Sequence, residues 1–128
     1  MTQVARFAVV PYYGQIYVED PGTSDLPEFE TGEELCVWTE RAVVIATQSD
    51  DVGDVAVEVW SGDQADDDSW NSVGEGELVL SGTNLEIGSI VGEDLHVVDI
   101  GRTGSVSLRI LTAGELGAPD RVRVVVVP

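Results

Sequence analysis

Apolar residues in this chain recur mostly at every second position, the period at which a strand with one buried face alternates its side chains. The pattern is clearest at 54–60, where Val55, Val57 and Val59 fall on one side and Ala56, Glu58 and Trp60 on the other. The same alternation predicts strands over 4–10, over 15–20 (Ile16 and Val18 against Gln15, Tyr17 and Glu19), over 77–81 around Leu78 and Leu80, and over 85–90. Residues 95–100 set Leu95, Val97 and Asp99 against His96, Val98 and Ile100. Residues 105–112 set Val106, Leu108 and Ile110 against Ser105, Ser107, Arg109 and Leu111. Two runs break the alternation. Residues 42–47 are continuously apolar and rich in β-branched side chains, as in a strand covered on both faces, and 121–127 are apolar apart from Arg121 and Arg123. Residues 33–41 have the length for two helical turns, yet Leu35 and Val37 alternate with Cys36 and Trp38, which favours a short strand.

Turn chemistry separates these segments. Residues 11–14 and 82–84 read as turns, and 20–31, with Pro21, Gly22 and Pro27, as a surface loop. Asp50, Asp51 and Gly53 join 42–47 to 54–60 as an expected hairpin, and the glycine-bounded 101–104 suits a second one. Residues 113–119, with Gly114 and Gly117, read as a loop, and 74–76 (GEG) as a turn. Nine to ten short strands without a convincing helix predict an all-β fold. The expected architecture is a two-layer antiparallel β-sandwich, jelly-roll-like, as a single domain over 1–128. The strand at 124–127 is open to a central place or to a pairing edge between chains.

Charge changes the picture more than length does. Twenty-four Asp and Glu oppose six basic residues, all arginine (Arg6, Arg41, Arg102, Arg109, Arg121 and Arg123), for a formal net charge of −18. A folded chain of this mass exposes on the order of 6,600 Å². Spread evenly, the carboxylates would sit about 17 Å apart, roughly twice the Debye length at physiological salt, and would mainly confer solubility. Only a cluster makes a strong local field. The cluster is the turn after Trp60, where Asp63, Asp66, Asp67 and Asp68 lead into Trp70, with Glu75 and Glu77 close behind. The acidic balance argues against nucleic acid and anionic membrane as partners, because both need a basic footprint, and favours a basic protein.

Catalytic constellations are scarce. His96 is the only histidine and Cys36 the only cysteine, so no internal disulfide is available and any triad or thiol–imidazole pair must use those two residues. Both fall within strand patterns, where a core side chain is the commoner role. The acidic turn does not fit an EF-hand loop: counted from Asp63, the third position is Ala65 and the sixth Asp68. A calcium or small-ligand site would need acids from a second turn, such as Asp50, Asp51 and Asp54, brought beside Asp67. Neither GEG nor GRTG opens a helix, as a phosphate-binding glycine loop must. No enzyme, cofactor or metal is therefore expected. The N-terminal residues make a poor secretory signal and no uncharged apolar run reaches 18 residues, so a cytoplasmic location is expected.

Part of the strand order resembles the competence protein J family, also called DNA-entry nuclease inhibitors. The residues that carry it are Tyr13-Gly14-Gln15-Ile16-Tyr17-Val18, similar to that family's early Tyr-x-Gln-apolar-x-apolar strand. They are followed in similar order by apolar strands at 42–47, 85–90 and 106–111 and by a final apolar strand. The resemblance implies a cytoplasmic, non-enzymatic β-sandwich that inhibits or modulates a nuclease, and it carries over no inhibitory residues. Together with the charge it favours an acidic binding protein that meets a basic partner through Trp60, Asp63, Asp66, Asp67, Asp68, Trp70, Glu75 and Glu77. In that role tryptophan supplies the anchor and the carboxylates the steering. Alternatively, both tryptophans simply pack on the sandwich. On the blander view the chain is a structural or accessory domain whose acidity suits a salty cytoplasm.

Overall fold

In the computed structural model, which describes residues 2–62, 69–89 and 95–128, the alternating segments pair into two five-stranded sheets. Sheet A has the order β1 (Thr2–Val9), β5 (Val55–Ser61), β10 (Ala118–Val126), β9 (Gly104–Glu115) and β6 (Asn71–Leu80). Sheet B has the order β3 (Cys36–Trp38), β4 (Ala42–Ala46), β2 (Gln15–Glu19), β7 (Asn84–Gly88) and β8 (His96–Asp99). The all-β two-layer sandwich expected from the pattern is thus the fold, and among the described residues the only helical turn is a 3-10 turn at Tyr12–Gly14. Strand pairs are antiparallel except β5 with β10, which run parallel. That pair departs from a jelly roll with antiparallel pairing throughout.

The inward positions are those the alternation marks. Val55, Val57 and Val59 of β5, Ile16 and Val18 of β2, and Val122, Val124 and Val126 of β10 join one buried cluster with Leu78, Leu85, Ile87, Leu108 and Ile110. The run at 42–45 is fully buried, as a doubly covered strand should be. Its inward residues Val43 and Ile45 face the core. Its outward residues, with Tyr17 beside Val44 in register, lie under the segment 20–35. There the Tyr17 hydroxyl donates to the carbonyl of buried Pro27 at 3.3 Å. The segment read as a surface loop is therefore a cover for sheet B.

Two expected hairpins do not form. β4 is flanked by β3 and β2, so no edge is left for β5, and β9 by β10 and β6, so none is left for β8. Residues 47–54 and 100–103 cross from one sheet to the other instead. The expected loop at 113–119 is itself a tight hairpin: Glu115 pairs with Ala118 around Leu116 and Gly117, whose φ of 87° suits glycine.

The GEG segment is not a turn either. It lies inside β6, and its glycines leave room for the other layer. A Cβ on Gly74 would stand 2.5 Å from Cys36 Sγ, and one on Gly76 would stand 2.9 Å from the Trp38 ring. On the opposite flank the Phe7 and His96 rings stack at 4.0 Å and 12°. The edge strands of the two sheets thus meet in pairs, β6 with β3 and β1 with β8. At one end a polar tie joins the layers. Buried Asp20 pairs with Arg41 at 3.0 Å and accepts both the N–H and the hydroxyl of Ser81, each at 3.0 Å.

Gly76→Ala is expected to lower unfolding free energy by about 1–3 kcal/mol, the usual cost of overpacking a filled interior. The urea midpoint checks this; an unchanged midpoint would mean that Trp38 moves aside freely.

Candidate functional site

The outward face of sheet A carries a connected cluster of charged and aromatic side chains. Along β5 the outward positions are Ala56, Glu58 and Trp60, and the parallel register sets Arg123 of β10 beside Glu58 and Val125 beside Trp60. Glu58 Oε1 accepts the Trp60 indole N–H at 2.6 Å and Arg123 Nε at 3.0 Å. The Arg123 guanidinium then lies over two rings, with its carbon 4.0 Å from the Trp70 centroid and 5.2 Å from that of Trp60. Arg121 reaches Trp70 from further out, at 5.7 Å. The Arg123 side chain is only 12% exposed, so the cation–π attraction acts where water screens it little. Beneath this layer the outward residues Leu111 and Val125 are buried.

Trp60 and Trp70, the expected anchors, are therefore brought together on one face and held half-buried around Arg123. Asp63, Asp66, Asp67 and Asp68 lie outside the described residues. Glu75 and Glu77 stand on the same face, on β6: Glu75 pairs with Arg109 at 2.8 Å, and Glu77 accepts the hydroxyls of Ser105 at 3.1 Å and Ser107 at 3.4 Å. Sequence reasoning passed over Arg123. Its signal was two of six arginines spaced by two in a valine run, which puts both on one face of a strand.

The catalytic possibilities separate in space. Cys36 and His96 occupy the two opposite edge strands of sheet B, roughly 19 Å apart at ordinary strand spacing, so they form no thiol–imidazole pair. Burial raises the Cys36 thiol pKa, and its S–H donates to the Val73 carbonyl at 3.2 Å. Asp51 accepts the Ser49 hydroxyl, and Asp50, Asp51 and Asp54 are exposed. Among the described residues no group of three or more His, Cys, Asp or Glu side chains could hold a metal ion.

Two carboxylates are strongly perturbed, both on the sheet B side. Glu34 is lowered to about 2, first by the Thr31 hydroxyl and then by the Glu30 and neighbouring N–H groups that it ties together. Glu19 is raised from 4.5 to about 7 by burial first, then by Glu86 and Asp20; Glu86 is its register partner on β7.

No family model matches the sequence, and no curated protein matches it. Among solved structures, the chain superposes on ComJ from Bacillus subtilis, whose crystal structure describes it as an inhibitor of the DNA-degrading activity of NucA. The TM-score is 0.74 at 14% sequence identity, and the match covers 99% of this chain and 98% of ComJ. The fold is that of ComJ. The stretch Tyr13–Val18, which carries the sequence resemblance, serves the framework: Ile16 and Val18 enter the core, and Gly14, at φ 67°, passes so close to Thr47 that a Cβ would meet its carbonyl at 3.2 Å.

Two measurements follow. Arg123→Met keeps the alkyl stem but strips Glu58 and Trp60 of their cation and Trp70 of its nearer one, so about 1–2 kcal/mol of stability should be lost. Arg121→Met, on a side chain 51% exposed, should change the urea midpoint little. For Glu19 the folded pKa lies above the unfolded one, so the native state holds a proton that the unfolded chain releases. Stability should fall as pH rises from about 4.5 to about 7. Glu19→Gln should then exceed the parent by roughly 1–3 kcal/mol at pH 8, with the gap closing towards pH 4; a constant gap across denaturation curves would refute this.

Proposed function

We propose that this chain is a non-enzymatic inhibitor of a nuclease, which it binds as a protein partner through that enzyme's basic surface in the cytoplasm. The observation that carries the reading is the superposition along nearly the whole of both chains on ComJ, an inhibitor of the DNA-degrading activity of NucA. The physical chemistry supports it. A nuclease must offer positive potential to the phosphates of DNA, and a molecule with a formal charge of −18 is drawn to such a groove from a distance. Tryptophan and arginine are the side chains enriched at interface hot spots, and Trp60, Trp70 and Arg123 supply both types in one layer. Because Glu58 and the two rings already fix Arg123, little side-chain entropy is left to lose on binding. The run from Asp63 to Asp68 joins β5 to Trp70 in sequence, which suits a steering role beside these anchors.

The test is plasmid degradation by an extract of the host cell, with purified chain added. Degradation is expected to fall with dose to a plateau, and rising salt should slow association more than it speeds dissociation. Undiminished degradation in the presence of excess chain would overturn the reading.

A further inference from the structure

The two outward faces of the sandwich are not equivalent. Segment 20–35 packs on that of sheet B, whereas among the described residues no segment covers that of sheet A, which carries four of the six arginines, Arg6, Arg109, Arg121 and Arg123. Three of these have a carboxylate: Glu58 for Arg123 at 3.0 Å, Glu75 for Arg109 at 2.8 Å and Asp120 for Arg121 at 3.6 Å. Glu77 differs. It is exposed, two serine hydroxyls orient it, and among the described residues no cation pairs with it.

Beside Glu77 the face dips into a cleft of about 300 Å³, with Gly76 and Leu108 at its base, Val127 along one side and the Glu75–Arg109 pair at its rim. That volume stands at the lower limit for small-molecule pockets and suits a single side chain better than a cofactor. Its chemistry is equally selective. Val127 offers apolar surface to a methylene stem lying over the backbone of Gly76 and Leu108, whose side chain belongs to the core, and the Glu77 carboxylate keeps lone pairs for a charged donor at the end of that stem. An acidic side chain would meet Glu75 and Glu77 in repulsion, and a purely apolar one would desolvate Glu77 without a partner.

We propose that this cleft receives one arginine or lysine side chain of the basic partner. The identity of that partner rests on the inhibitor reading; the chemistry of the cleft does not. The experiment uses the whole chain, isotope-labelled for NMR, titrated with Nα-acetyl-arginine amide, with Nα-acetyl-lysine amide, and with the uncharged isostere Nα-acetyl-citrulline amide. The two cations are expected to shift the amides of 75–77, 107–109 and 127 saturably, and citrulline to leave them unmoved. Glu77→Gln should weaken the cation response about tenfold, while Glu28→Gln, in the cover of sheet B, should leave it unchanged. Shifts spread evenly over the acidic surface, or an undiminished response in Glu77→Gln, would overturn the proposal. In the plasmid assay Glu77→Gln should need about ten times more chain for the same protection; equal potency would also overturn it. Saturable binding at the cleft without any protection of the plasmid would support the receptor and refute the inhibitor.

Discussion

Burial of the inward side chains of two five-stranded sheets against one another has to hold together a chain whose formal charge is −18. Neighbouring carboxylates favour expansion, and exposed ion pairs return little in water. The core therefore has to be closely filled, and its composition suits that: mostly valine, isoleucine and leucine, with few atoms that need a polar partner. Both flanks are closed as well. Trp38 lies over the bare backbone at Gly74 and Gly76, and Phe7 meets His96, so side chains from the edge strands of the two layers meet and seal the core between them.

A filled interior leaves the outer faces to differ. The segment after β2 folds back onto sheet B, where Pro27 accepts the hydroxyl of buried Tyr17. Among the described residues no segment covers sheet A, and a layer of arginine, tryptophan and glutamate shields Leu111 and Val125. That layer excludes water from the apolar side chains below it.

Alternation is local, so strand identity could be read from residues such as Val55, Val57 and Val59, or from the doubly apolar run at 42–45. Layer assignment is not local. Whether β5 follows β4 within one sheet or crosses to the other depends on which edges remain free after β2, β3 and β10 have taken theirs. The glycines at 74 and 76 misled for the same reason: their requirement is steric, set by Trp38 on a distant strand. The candidate face divides likewise. Trp60 and Trp70 stood out as aromatic residues beside acids, but Arg123 meets Glu58 only through a parallel pairing across some sixty positions of chain, and Glu77 gains its hydroxyl donors only from β9.

That parallel pairing also bears on synthesis. β10 sits in the middle of sheet A, with β1 and β5 on one side and β9 and β6 on the other, yet it follows all of them in sequence. While the ribosome is still adding residues ahead of 118, the growing polypeptide holds two half-sheets with no strand between them and unpaired backbone along β5 and β9. Sheet A can then assemble only in a late step that gathers distant segments at once, as expected of topologies dominated by long-range contacts. Until then the nascent chain would expose two unpaired β-edges, and mutual repulsion between chains of like charge would oppose their joining along them.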